Sequence, residues 1–81
     1  MNQKIKAPFS IVTTSRRTGV TQKQIRYWEA RGYIPAAVRV VCGDRSYRYF
    51  SSEQIEIISK IKGYLDQGYT LVHASKLAMN R

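Results

Sequence analysis

Two Ser/Thr-x-x-Gln sequences constrain the fold of this chain more than any other feature. Thr21 with Gln24 and Ser51 with Gln54 both match the capping-box pattern, in which the two side chains satisfy backbone N–H groups at the start of a helix. Each pair therefore predicts a helix that begins just after the hydroxyl residue. The chain has to leave the helical conformation between them, because Pro35 lacks a backbone donor and prevents a restart.

The helix after Thr21 has two distinct faces. Ile25 and Trp28 stand at i, i+3 spacing, which places them on one apolar side that we expect to face the core. We expect the helix to stop near Gly32. Side chains at i, i+4 spacing form polar pairs displaced around the helix from the apolar side: Gln22 with Arg26, and Lys23 with Tyr27.

A shorter helix precedes this one, and two further helices follow Ser51. In "FSIVTTSRRTG" we expect a short polar helix ended by Gly19, since glycine takes the left-handed cap conformation at least cost. Apolar residues recur at helical spacing as far as Gly68: Ile55, Ile58, Ile61 and Leu65. Thr70 can cap a last helix, whose apolar residues are Leu71, Ala74, Leu77 and Ala78.

The segment between the second and third helices has the composition of a β-hairpin. In "VRVVCGDRSYRYF", β-branched and aromatic residues flank Gly43-Asp44, which predicts strands over 38–42 and 45–50 with the turn between them. Three arginines fall on this hairpin: Arg39, Arg45 and Arg48.

The charge balance favours an anionic partner. Fourteen Lys and Arg against five Asp and Glu give the 81 residues a formal net charge of +9, so nucleic acid is the leading candidate and an anionic membrane surface the second. The acidic residues form no paired-carboxylate pattern, and so short a chain cannot enclose a deep substrate cleft. We therefore expect neither an enzyme nor a cofactor.

Cysteine usage and hydropathy indicate a cytoplasmic protein. Cys42 is the only cysteine, so neither an internal disulfide nor a Cys-pair metal site can form. No apolar run reaches the roughly 20 residues needed to span a bilayer, and "MNQKIKAPF" lacks the apolar region of a signal peptide. We expect one domain over residues 8–81, preceded by a basic arm over residues 1–7.

The predicted order of elements is helix, tight turn, helix, hairpin, helix, helix. This order is typical of a winged helix-turn-helix domain, a mostly α fold with a small β-hairpin as its wing. On DNA the second helix fits the major groove, while a basic hairpin reaches along the backbone or into the neighbouring minor groove.

The residues themselves resemble the N-terminal DNA-binding domain of the MerR family of transcription regulators. Two stretches carry the resemblance, "FSIVTTSRRTGVTQKQIRYWEARGYIPAA" and "SYRYFSSEQIEIISKIKGYLDQGYTL". They match the family's Thr-Gly-Val turn, its hydrophobic-Arg-Tyr-Tyr-Glu sequence, its Gly-aliphatic-aliphatic-Pro exit and its wing ending Tyr-Arg-x-Tyr. Trp28 stands where the family more often has a second Tyr, which favours a packing role there, and Ser46 replaces the usual wing glycine.

The resemblance implies how the site residues divide. Arg26 and Tyr27 match the family's backbone-contacting pair, and Arg48 matches the wing arginine, with Tyr47 beside it. Arginine offers a planar fork of donors to phosphate and tyrosine a rigid hydroxyl, so both suit backbone contacts. The residues expected to contact DNA are Thr21, Gln22 and Lys23 towards base edges, and Arg26, Tyr27, Arg45, Tyr47 and Arg48 on the backbone or minor groove.

The family resemblance also implies partners. Members typically act as two-fold dimers on promoter DNA in the nucleoid, and RNA polymerase is a further implied partner. The chain ends at Arg81, before the family's long dimerisation helix, so we expect either a fragment or a small relative that dimerises differently. An excisionase-like or architectural DNA-binding protein of the same fold is the alternative, and a basic protein-interaction or membrane-surface module is a third possibility.

Overall fold

The computed structural model describes residues 7–80, so the predicted basic arm lies outside the described residues except for Ala7, as does Arg81. Four helices and three strands follow one another along the chain. They are β1 (Phe9–Ser10), α1 (Ile11–Thr18), α2 (Gln22–Ala30), β2 (Val38–Cys42), β3 (Arg45–Phe50), α3 (Ser52–Asp66) and α4 (Leu71–Met79). The mostly α winged fold predicted from the sequence is thereby confirmed.

Both predicted capping boxes are formed. The Thr21 hydroxyl accepts from the Gln24 backbone N–H at 3.1 Å, and the Ser51 hydroxyl accepts from that of Gln54 at the same distance. In each box the glutamine side chain accepts in return from the backbone N–H of the capping residue. Gly19 ends α1 with a φ of 77°, the left-handed conformation expected of it.

The sheet has one strand that the sequence did not predict. β3 lies in the middle of an antiparallel sheet of order β1-β3-β2, with Phe9 paired to Phe50 and Ser10 to Tyr49. β1 has only two residues, too few for any alternation to appear in the sequence. We define the wing as β2, β3 and the turn between them. β1 joins the start of α1 to the end of β3, at the base of the wing.

One hydrophobic cluster joins the helices to the base of the sheet. Its members come from the α1–α2 turn, α2, the segment after α2, the end of β3, α3 and α4: Val20, Ile25, Trp28, Ile34, Ala37, Phe50, Ile58, Ile61, Ala74 and Ala78. Trp28 is only 3% exposed, as expected of a scaffold residue. Thr14 of α1 is also fully buried, and its hydroxyl has no hydrogen-bond partner among the described residues.

Polar side chains from three helices fix the segment between α2 and β2. Glu29 accepts from the backbone N–H of Ala37 at 2.7 Å, while Ser75 in α4 donates to the Tyr33 carbonyl at 2.6 Å. From α3, the Gln54 amide donates to the Pro35 and Ala36 carbonyls at 3.2 and 2.9 Å. The wing therefore starts from a fixed position. No helix within residues 7–80 is long and apolar enough to cross a membrane.

Candidate nucleic-acid interface

The turn between α1 and α2 is held by hydrogen bonds to the Val20 backbone. The Ser15 hydroxyl donates to the Val20 carbonyl at 2.7 Å, and the Thr18 hydroxyl accepts from the Val20 N–H at 3.2 Å. Val20 itself is 2% exposed and anchors the turn in the core. These contacts satisfy both polar groups of the Val20 backbone, which keeps a tight turn stable without water.

The N-terminal end of α2 is open to solvent. Thr21, Lys23 and Gln24 are exposed, and the first turn contains no acidic residue. Free backbone N–H groups and the helix dipole make such an end favourable for a phosphate group. The Thr21 hydroxyl, however, is engaged within the capping box, where it accepts from the Gln24 backbone and donates to the Gln24 side-chain oxygen at 3.2 Å.

The outer face of α2 carries the predicted polar pair Gln22 and Arg26 in contact. Arg26 Nη2 donates to the Gln22 side-chain oxygen at 3.4 Å, and the arginine is exposed. Tyr27 is 50% exposed, with the Arg31 guanidinium 5.7 Å from the centre of its ring. Aromatic contact of this kind restrains a long cationic side chain near the surface.

The wing projects from the domain with little cover. Every residue of β2 is exposed, and so is the first half of β3. Arg45 is paired with Cys42 next to the Gly43-Asp44 turn, at the far end of the wing. Tyr47 is paired with Val40 and is 43% exposed.

Three of the predicted site residues meet at one cleft. Arg26 from α2 and Tyr47 and Arg48 from β3 line a space of about 200 Å³, which the start of α1 closes at Ile11 and Val12. The remaining predicted residues lie elsewhere: Thr21, Gln22, Lys23 and Tyr27 along α2, and Arg45 at the wing tip. The cleft combines guanidinium and phenol donors with a partly apolar wall.

Glu29 links α2 to the wing. Its carboxylate is 7% exposed, and Oε1 accepts from Arg48 Nε at 2.7 Å, while Arg39 Nη2 lies 3.7 Å from the same oxygen. Oε2 accepts from the Ala37 backbone N–H. Burial on its own raises the pKa of Glu29, but the hydrogen bonds from Arg48 and Ala37 and the positive charge of Arg48 and Arg39 together hold that pKa below its ordinary value of 4.5.

Sequence reasoning did not assign a role to Glu29. The sequence contained one signal, because this glutamate closes the Arg-Tyr-Trp-Glu sequence of α2, but only the structure shows that its partners are the wing arginines. Pattern alone could not pair them, because nothing in the spacing shows which face of the wing turns towards α2. The contact gives Arg48 an intramolecular partner in addition to its predicted place on DNA.

The order of the helices and the antiparallel sheet define a winged helix-turn-helix domain. The profile of the family described as "MerR HTH family regulatory protein" matches residues 9–80, and the chain belongs to this family of DNA-binding transcription regulators. Over 69 residues the chain is 32% identical to the mercuric resistance operon regulatory protein of Bacillus cereus. The match takes in 85% of this chain and 50% of that relative, so the chain spans about half its length.

The residues described here offer no metal site. Within positions 7–80 no group of three or more His, Cys, Asp and Glu side chains comes close enough together to hold an ion. Cys42 is exposed at the end of β2.

Proposed function

We propose that this domain binds double-stranded DNA in a sequence-specific manner, with α2 in the major groove and the wing on the backbone or in the adjacent minor groove. The cleft shared by Arg26, Tyr47 and Arg48 carries the proposal, because it joins donors from α2 and from the wing on one side of the molecule. Phosphate contacts from two elements fix the register of a helix in the groove.

Base reading is assigned to the start of α2. Gln22 and Lys23 follow the capping residue, where side chains of a recognition helix approach base edges. Thr21 holds the helix end and approaches the groove chiefly through its methyl group, since its hydroxyl is bound to Gln24. Arg26, Tyr27, Arg45, Tyr47 and Arg48 are assigned to the backbone.

The affinity of such a domain comes mainly from neutralised phosphates and the counterions they release. If one copy makes about five such contacts, log K falls with log salt at a slope of roughly −4 to −5, since each phosphate contributes about 0.9. A domain of this size has few base-reading side chains, so we propose that two copies bind a two-fold operator and thereby multiply the discrimination.

Selection from a random duplex library tests the proposal. The protein is expected to enrich a spaced inverted repeat and to bind it with two copies per duplex, measured by sedimentation or native mass spectrometry. Enrichment of bendable or A/T-rich DNA without a defined sequence would replace sequence-specific binding with architectural binding. No retention on DNA at moderate salt would overturn DNA binding altogether.

A residue-level measurement separates the two kinds of contact. Changing Gln22 or Lys23 should alter which selected sequences are preferred. Arg26→Ala should instead weaken binding to all of them and lower the salt slope by about one. An unchanged preference after the first substitutions would mean that α2 does not read the groove.

A further inference from the structure

Two arginines lie directly opposite each other on the face of the wing that turns towards Glu29 of α2. Arg39 on β2 and Arg48 on β3 are paired in the antiparallel register, so their side chains leave the same face of the hairpin. Like charges at opposed positions destabilise a strand pair. Their position therefore calls for an anion between them, and Glu29 supplies only one negative charge against two positive ones.

The hydrogen bond to Glu29 leaves part of the Arg48 guanidinium available. Glu29 accepts from Nε, so the donors of the two terminal nitrogens can serve another acceptor. Arg48 also lines the cleft beside α2, with its side chain 26% exposed, and the Arg39 side chain is 50% exposed. The carboxylate itself is nearly buried at 7% and is held from behind by the Ala37 N–H.

We propose that Glu29 is a positioning residue that presents Arg48 and Arg39 as a paired site for one DNA backbone phosphate. The inference rests on the proposed function and adds to it both Glu29 and a backbone contact at Arg39. Two guanidinium groups around one carboxylate keep one surplus positive charge, which a phosphate neutralises. A carboxylate bound to Nε also fixes the plane of the guanidinium and so directs its terminal nitrogens outwards.

Replacing Glu29 by Gln distinguishes positioning from simple charge. Glu29→Gln raises the formal net charge above +9 by one unit, so general electrostatic attraction alone makes the variant bind DNA more tightly. Loss of positioning acts in the opposite direction. We expect binding to weaken on the order of tenfold, the effect of one hydrogen bond to a charged group.

The matched control is Glu56→Gln, which makes the same charge change at an exposed position of α3. Both variants are titrated with a short duplex carrying the selected operator over a range of salt concentrations, below their measured unfolding temperatures. Glu56→Gln should bind as tightly as the original chain or slightly more tightly. If Glu29→Gln binds as well as Glu56→Gln, the positioning role is excluded.

Arg39→Ala is a second test that does not depend on the stability of the Glu29 variant. Its side chain is half exposed, and its nearest approach to Glu29 is 3.7 Å, so its loss leaves the Arg48 contact in place. We expect the magnitude of the salt slope to be about 0.9 smaller for Arg39→Ala than for Lys60→Ala, which removes one exposed charge from α3. Equal slopes for the two variants would remove Arg39 from the phosphate site. Failure of the unaltered chain to bind the duplex would instead overturn the proposed function.

Discussion

The two capping boxes have the same residue pattern, but their glutamines differ in exposure and in hydrogen-bond partners. At the start of α2, Gln24 is exposed, and its side-chain oxygen accepts from the backbone N–H and the hydroxyl of Thr21. At the start of α3, Gln54 is 8% exposed, and its amide nitrogen also donates to the Pro35 and Ala36 carbonyls of the segment that leads into the wing. One box leaves a helix end open, while the other joins a helix to its neighbours.

The first turns of α2 and α3 also differ in charge. The first turn of α3 contains Glu53, which the helix dipole favours, whereas that of α2 contains Lys23 and no acidic residue. A cation at this end lowers the intrinsic stability of α2. The first turn of α3 therefore stabilises its own helix, whereas the first turn of α2 keeps a positive charge that suits the DNA contact we propose for it.

The largest expected effect is the loss of the buried box. Gln54→Ala keeps the bond from its backbone N–H to the Ser51 hydroxyl, but it leaves the Ser51 N–H and two carbonyls of the wing connection without their partners. We therefore expect the free energy of unfolding to fall by about 3 kcal/mol. Chemical denaturation followed by circular dichroism measures this change. The matched substitution Gln24→Ala should cost less than about 1 kcal/mol, since water replaces the lost contact. Equal losses at the two positions would remove the distinction between the boxes.

Acid titration compares Glu29 with Glu53. The folded chain holds the pKa of Glu29 below 4.5, so the unfolded chain takes up a proton first as the pH falls. The stabilising contribution of Glu29 is therefore complete above its ordinary pKa and is lost as the pH falls through the lowered pKa of the folded state. Glu29→Gln should be less stable than the original chain near neutral pH, and the difference should shrink in acid.

The measurement is the thermal midpoint as a function of pH between neutrality and the acid limb. Glu53→Gln provides the control, because Glu53 is exposed at a helix start and should change the midpoint only slightly. A difference between Glu29→Gln and the original chain that stays constant down to strongly acidic pH would contradict the role assigned to the buried carboxylate.

Local patterns in the sequence predicted the starts of α2, α3 and α4 and the bounds of the wing strands, whereas α1 begins at Ile11, which we expected ahead of the helix. Thr21, Ser51 and Thr70 cap helices as expected, and the wing strands begin and end at the predicted residues. These features depend on contacts between residues close together in the chain, which a pattern can reveal. β1 was not predicted, because a two-residue strand is too short to show an alternation of apolar and polar residues.

The contacts between elements could not be predicted in this way. Glu29 with Arg48, Gln54 with the Pro35 and Ala36 carbonyls, and Ser75 with the Tyr33 carbonyl all join residues distant in the sequence. Each requires knowledge of which helix faces pack together. The base and phosphate roles of the predicted interface residues remain predictions, since they concern atoms outside the chain.

Reversing the charge at the start of α2 should separate stability from binding. Lys23→Glu places an anion where the helix dipole favours one, so we expect the free energy of unfolding to rise by about 0.5 to 1 kcal/mol. Binding to the selected duplex should fall by tenfold or more, because the base contact assigned to Lys23 is lost and the new carboxylate repels the DNA. Denaturation and DNA titration of the same preparation give both values. A variant that bound DNA unchanged would show that this helix end does not approach the duplex.

The smallest expected effect is the reverse change at the start of α3. Glu53→Lys removes a favourable interaction with the helix dipole and adds an unfavourable one, which should lower the free energy of unfolding by about 0.5 kcal/mol. Raising the salt concentration should reduce this loss, because Glu53 is exposed and its charge is screened. DNA affinity should rise slightly through the added positive charge, without a change in the preferred sequence. A changed preference would place the start of α3 against the bases, and the two helix ends would then share the function that we assign to α2 alone.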